Sequence, residues 1–245
     1  MDLDALAFGA HADDAELSCG GTLVKLAGLG YKTGIVVLTQ GEMATRGSAE
    51  IRAREFSEAA KIMSLAVHEM LDMPDGRVEV TWENKLKIIG VLRSHMPKIV
   101  FAPYWVDRHP DHEQTSQLVR QAAYLAGLKK IETGQAPFRP HKVLYYESRF
   151  EFTPSYIVDI SDAHGQKMKA VRAYASQFHR PGETASASGG TLIGRPEFLD
   201  TIETRARHYG AHIGVKYGEP FLVREALQVK DPVSFFGPEY LWTIP

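Results

Sequence analysis

Four ionisable side chains fall within six residues near the start of the chain: His11, Asp13, Asp14 and Glu16, in the run AHADDAE. An imidazole and a carboxylate three positions apart across a turn can aim at one point in space. His11 and Asp14 are therefore two candidate ligands of a zinc-type site. Acidic residues ahead of an apolar helix also cap it and complement its dipole, which accounts for Asp13, Asp14 and Glu16 without any metal. Capping does not account for His11. A third ligand has to come from elsewhere, and a second cluster offers one: DRHPDHE, with Arg108, His109, Asp111 and His112.

The two clusters share a local setting. The first follows a short apolar run, residues 5–8, that stops at Gly9 and precedes an apolar, glycine-containing segment, residues 17–29. This reads as buried strand, tight turn and helix start. The second follows a strand over 98–103 and opens a helix over 113–126. Between them lie a β-branched strand (32–39) and an amphipathic helix (48–65). A short strand (67–71), a Pro-Asp-Gly turn (74–76) and a helix (82–96) ended by Pro97 complete the interval.

This alternation predicts an α/β fold: a Rossmann-like, doubly wound, mostly parallel sheet with helices on both faces. In such sheets ligands bind outside the carboxyl ends of the strands, where the strand order reverses. In the common order the first and fourth strands are neighbours there. The clusters follow the first and fourth strands, so they should face each other across one crevice. That coincidence is the ground for a metal site.

Further on, residues 142–147 and 155–160 read as strands, and Ser161 or Asp162 as the cap of a helix reaching about residue 178. Residues 179–190, HRPGETASASGG, read equally as a surface loop or as a lid over the crevice. A helix over 196–209 ends with Gly210 as C-cap. No strand is assigned to the tail after residue 215. Its aromatic residues Phe235, Phe236, Tyr240 and Trp242 suit a subunit contact or closure of the core. The absence of repeats and linkers favours one domain over residues 1–245.

Of 245 residues, 44% are hydrophobic and 24% charged, ordinary values for a soluble globular protein. A net charge of −2 argues against a nucleic-acid partner. A lone cysteine, Cys19, excludes a disulfide framework or cysteine-type zinc site within one chain, and it reads as a buried structural thiol. The first residues lack the basic and apolar regions of a signal peptide, and no apolar run approaches about 18 residues. The expectation is a cytoplasmic protein that does not enter membranes.

AHADDAE together with HPDH resembles the LmbE-like (PIG-L) family of zinc-dependent N-acetylglucosamine deacetylases. That family usually has AHPDD in the first motif. Ala12 replaces the proline here, which removes turn stiffness but no ligand. DRHPDH, YIVDISDA, AYASQF and HYG…GVKYGEPF are similar to the bacillithiol-pathway branch, the N-acetylglucosaminyl-L-malate deacetylases. The resemblance spans about residues 4–224 and implies a homo-oligomer acting on a small sugar substrate.

It further implies His11, Asp14 and His112 as metal ligands and Asp13 as general base. His109 would stabilise the oxyanion or protonate the leaving group, with Asp111 orienting it and keeping it cationic. The implied metal is zinc, with Fe(II) also suited to two histidines and a carboxylate. A malyl group carries two carboxylates, for which Arg52 and Arg108 are the candidate contacts. Competing readings are an amidase on bacillithiol- or mycothiol-type conjugates, a deacetylase of another N-acetylglucosamine derivative, and a nucleotide-binding module. Against the last, HADDAE stands where a glycine-rich turn would be, and its carboxylates repel a pyrophosphate.

Overall fold

The computed structural model describes residues 2–179 and 191–237. Seven strands form one sheet in the order β3-β2-β1-β4-β5-β7-β6. The first half alternates as expected: β1 (Ala5–Gly9), α1 (Asp14–Gly28), β2 (Thr33–Val37), α2 (Ala49–Ile62), β3 (Val67–Met70), α3 (Trp82–His95), β4 (Ile99–Pro103) and α4 (Pro110–Leu125). β1 pairs in parallel with β2 on one side and β4 on the other, so the switch point lies between β1 and β4. The α/β fold read from the sequence is the fold of the protein.

Side chains of β1 alternate between two cores, as strand geometry requires. Ala5 and Ala7 pack on the face covered by α1, α2, α5 (His164–Arg172) and α6 (Phe198–His212). Leu6 and Phe8 pack on the other face, beneath α3 and α4. Cys19 is buried in the first core, and burial pushes its thiol pKa up, so it is an inert packing residue.

The second half departs from expectation in three places. β5 (Lys142–Tyr146) and β6 (Tyr156–Asp159) form, but a further strand, β7 (Gly218–Leu222), inserts between them antiparallel to both. The helix expected over 161–178 is only α5, and neither Ser161 nor Asp162 caps it. Ser161 instead donates to the Asp159 carboxylate. α6 runs past Gly210 to His212, so that glycine is not a C-cap. A Cβ there would lie 2.7 Å from the Val215 carbonyl oxygen and 2.8 Å from the Tyr217 nitrogen. Its role is to let the returning chain pass close to the helix.

Glu219 holds β7 to α1. Its carboxylate accepts from the Gly21 and Thr22 amides, the Thr22 hydroxyl and the Lys167 ammonium, all buried. Phe235 and Phe236 are exposed and do not close the core. Tyr240, Trp242 and residues 180–190 of the expected loop or lid lie outside the described residues. Among the described residues, no helix is long and apolar enough to cross a membrane.

Candidate active site

β1 ends at Gly9, where a Cβ would crowd the His11 carbonyl at 3.0 Å and Asp14 Cβ at 3.1 Å. The chain turns sharply there and α1 begins at Asp14, three residues earlier than the apolar pattern suggests. Asp13 is the N-cap residue, yet its side chain makes no capping bond, and its φ of 110° is one few non-glycine residues adopt. Capping therefore does not explain the acidic run. Such strain persists where surrounding contacts impose it, commonly at functional sites. Asp14 Oδ2 folds back to accept the His11 amide at 2.8 Å. Glu16 is wholly buried and accepts from the Tyr174 hydroxyl at 2.5 Å. Burial pushes its pKa up to about 7.

β4 delivers the second cluster beside the first. His109 is the N-cap of α4, its Nδ1 accepting from the Asp111 amide at 3.2 Å, with Pro110 at the first helical position. The helix thus starts three residues before the expected 113. His112 Nε2 lies 3.2 Å from Asp14 Oδ1, and His11 Nδ1 lies 3.6 Å from Asp14 Oδ2. The ring centroid of His109 lies 4.8 Å from those of both His11 and His112. The two clusters do face each other at the β1/β4 switch point.

His11, Asp14 and His112 bring one ligand atom each within 4.8 Å of one another, and so do His11, His109 and Asp111. The first set fits a zinc-type ion better. Each of its histidines has its outer ring nitrogen on a carboxylate: His11 Nε2 on Asp75 at 2.9 Å, and His112 Nδ1 on Asp107 at 3.2 Å. That backing fixes the ring and raises ligand basicity, as in carboxylate–histidine–zinc arrangements. In the second set the Asp111 carboxylate is already taken by the Gly76 and Val78 amides, at 2.7 and 3.1 Å.

The charges fit a cation as well. Burial disfavours a charged His11, but the hydrogen bonds to Asp111, Asp14 and Asp75 prevail and raise its pKa well above normal. His112 behaves likewise: burial is outweighed by Asp14 and Asp107, and its pKa rises to about 9. A pocket that holds protons this firmly carries excess negative charge suited to a divalent ion. Asp14 is held well below the carboxylate range by the two histidines, despite its burial.

Two expectations about the remaining residues change. The Asp111 carboxylate does not reach His109 as its orienting partner. It lies against His11, 3.4 Å from Nε2, because the amides of residues 76 and 78 claim it, and only its backbone amide bonds His109. Nor is His109 kept cationic: burial and the charges of His11 and His112 lower its pKa. Arg52 lines the cavity but is 4% exposed. It donates to the Ala12 carbonyl at 2.5 Å and sits 3.7 Å from Asp13 Oδ2. Its ion-pair partner among the described residues is Asp13. Arg108 is exposed on the cavity wall.

Burial pushes Asp13 up to about 6, with Arg52 opposing. Asp13 lies free of both histidine pairs and lines a cavity of about 540 Å³. Sequence alone does not single out Asp75, Asp107, Ser148, Arg149 or Arg205, all of which line the same cavity. Asp75 stands in a Pro-Asp-Gly turn, where an aspartate is unremarkable. Asp107 is legible only as part of the DRHPDH string. Ser148 and Arg149 follow β5 in a loop with no spacing signal.

The N-terminal half, residues 6–123, matches the family model PIG-L, described as GlcNAc-PI de-N-acetylase. The diacetylchitobiose deacetylase of Thermococcus kodakarensis is 32% identical over 180 residues, covering 69% of this chain and 67% of that one. This chain belongs to the PIG-L family. A conserved protein of Thermus thermophilus has the same fold at a TM-score of 0.84 and 38% identity, over 93% of this chain and 97% of that one. The inhibitor-bound N,N'-diacetylchitobiose deacetylase of Pyrococcus horikoshii follows at a TM-score of 0.77 and 28% identity, over 91% and 84%. PIG-L membership makes this chain a deacetylase of acetylated amino sugars, and its His/Asp cluster is a possible metal site.

Proposed function

We propose that this PIG-L deacetylase is a cytoplasmic, zinc-dependent enzyme. It hydrolyses the acetamide of N-acetylglucosaminyl-L-malate to acetate and glucosaminyl-malate, in bacillithiol biosynthesis. One observation carries the reading. His11, Asp14 and His112 converge at the β1/β4 crevice with the unligated carboxylate Asp13 beside them, in a cavity whose wall is rich in arginine. The basic wall favours an acidic substrate over a neutral chitobiose, and the wide resemblance to the malyl-sugar branch agrees with it.

His11, Asp14 and His112 would hold the ion, which when bound polarises the acetamide carbonyl and lowers the pKa of water. Asp13 removes the proton of the attacking water. Burial poises it near neutrality, where a general base works best. His109 faces the cavity, and because Nδ1 accepts the Asp111 amide its proton resides on Nε2. That N–H donates to the oxygen on which negative charge develops. A neutral His109 has no second proton to give, so the proton on the leaving amine returns from Asp13.

The test is free-amine release by zinc-loaded protein from N-acetylglucosaminyl-L-malate and from plain N-acetylglucosamine, with a chelator control. Chelator-sensitive release that strongly favours the malyl compound supports the reading. Equal rates on both would reject the malyl substrate, and no release from either would reject sugar deacetylation. Elemental analysis of protein purified without added metal decides between zinc and iron.

A further inference from the structure

Arg149 lies in the loop after β5, half-buried against the cavity. Its guanidinium lies over the Phe198 ring, 4.8 Å from the centroid. Phe198 is itself buried and stacked on Phe178 at 5.8 Å. A guanidinium held on a fixed ring keeps its five N–H donors at the edge of its plane, free for a planar anion. Among the described residues, no carboxylate or carbonyl oxygen accepts any of them.

Three other buried or half-buried arginines differ. Arg93 donates to the carbonyls of Ala126, Leu128 and Ile131. Arg205 donates to the carbonyls of Ser148 and Leu17. Arg52 is committed to Ala12 and Asp13. These three are fastened to the fold, and Arg149 is not.

Its electrostatic surroundings are also unusual. Burial lowers the Arg149 pKa, and the positive charges of Arg205 and Arg108 lower it further, opposed by Asp107 and Asp14. Like charges are thus gathered at one wall of the site, at a cost in self-repulsion. Arg108 is exposed and makes no hydrogen bond or ion pair among the described residues. A bound anion would offset this repulsion with charge-assisted, bidentate hydrogen bonds. The wall adjoins the reaction centre, since Arg108 precedes His109 and Arg149 follows Ser148, whose hydroxyl lies 3.3 Å from His112 Nδ1.

We infer that Arg149, together with Arg108, is the specificity-determining contact for an anionic group, carboxylate or phosphate, on the aglycone of the acetylated sugar. The inference rests on the deacetylase reading above. It moves the second anion contact from Arg52 to Arg149.

The test compares zinc-loaded wild type, Arg149→Ala, Arg149→Gln and Arg149→Lys on three substrates: N-acetylglucosaminyl-L-malate, N-acetylglucosamine 1-phosphate and methyl N-acetylglucosaminide. With Arg149→Ala or Arg149→Gln, kcat/KM on an acidic substrate relative to the methyl glycoside should fall ~10- to 100-fold, through KM. Arg149→Lys should restore part of it. The acid with the larger fall identifies the anion. An unchanged ratio overturns the inference. Calorimetry with L-malate on the same proteins needs no turnover. Weaker binding to Arg149→Ala supports the contact, and equal binding overturns it. Loss of malate binding with no amine release from any substrate would overturn the deacetylase reading and leave the anion contact in place.

Discussion

Asp107 stands behind His112, its Oδ1 3.2 Å from Nδ1, while Asp14 faces the opposite ring nitrogen at the same distance. The same Asp107 oxygen accepts the His109 amide at 2.9 Å. One carboxylate therefore orients the His112 ring and fixes the turn that carries His109. Asp107 itself is held low by His112, which overcomes the effect of burial. A carboxylate there makes the facing nitrogen of His112 a stronger electron donor.

Asp107→Asn keeps the shape and much of the hydrogen bonding but loses the charge. Zinc affinity should fall ~10- to 100-fold, the usual effect of removing such a partner. Competition with a chromogenic chelator measures it. Unchanged affinity would remove Asp107 from the metal site.

Asp13→Asn should bind zinc as the wild type does, because Asp13 is not in the His11–Asp14–His112 set. An amide cannot accept the water proton, so turnover should fall by ~10²- to 10⁴-fold. Metal content and steady-state rates on one preparation check both halves. Retained activity would show that another group is the base.

Arg52→Gln should act through Asp13 rather than through substrate. The guanidinium lies 3.7 Å from Asp13 Oδ2 and donates to the carbonyl of Ala12, next to the strained Asp13 backbone. Its loss should lower kcat by a similar factor on acidic and neutral substrates. A loss confined to the acidic substrate would restore Arg52 as an aglycone contact.

The His/Asp cluster is legible in the sequence because histidines cannot be explained by capping, and because the β/α alternation places both clusters at one sheet edge. What stays hidden depends on contacts distant in sequence. β7 reads GEPFL, with a proline and a charged residue in a five-residue strand. Glu219 is tolerated there only because Gly21, Thr22 and Lys167 satisfy it, and no local pattern reveals that. Asp75 reaches His11 across 64 positions. Arg149 gains meaning only from Phe198, Arg205 and Arg108, which the fold brings to it. Asp111 misleads for a related reason: its carboxylate is nearest in sequence to His109 but meets amides from the loop after β3.

Glu147 gives the fold a pH dependence away from the His/Asp cluster. It is buried, accepts a hydrogen bond from the Tyr209 hydroxyl, and lies 3.8 Å from Arg205. Burial raises its pKa, with Tyr209 and Arg205 opposing. A raised carboxyl pKa means that the folded state holds a proton the unfolded chain has released. The contribution is fully present below the unfolded value of about 4.3 and is lost as pH rises through the folded one. Glu147→Gln should remove that decline. Urea unfolding from pH 4 upward should therefore show a less negative dependence of stability on pH than in the wild type. Parallel curves would mean that Glu147 titrates normally.

Gly210→Ala sets two effects of opposite sign against each other. Gly210 lies inside α6, where alanine is favoured over glycine by about 1 kcal/mol. The new methyl would lie 2.7 Å from the Val215 oxygen, 2.8 Å from the Tyr217 nitrogen and 2.9 Å from the Lys216 carbonyl carbon. These are backbone atoms of the segment leading into β7, and Gly218 approaches α6 just as closely from the other side. They cannot rotate away as a side chain would. Forcing atoms into packed regions typically costs about 1–3 kcal/mol, and a backbone shift here would also pull on the Glu219 cluster. The clash should win, with a net loss of about 1–2 kcal/mol by denaturant unfolding. Gly28→Ala is the matched control. It lies at the end of α1, and a Cβ added there meets nothing within 4 Å, so helix propensity should act without a clash. Equal effects at the two positions would show that the α6–β7 approach is loose enough to admit a methyl group.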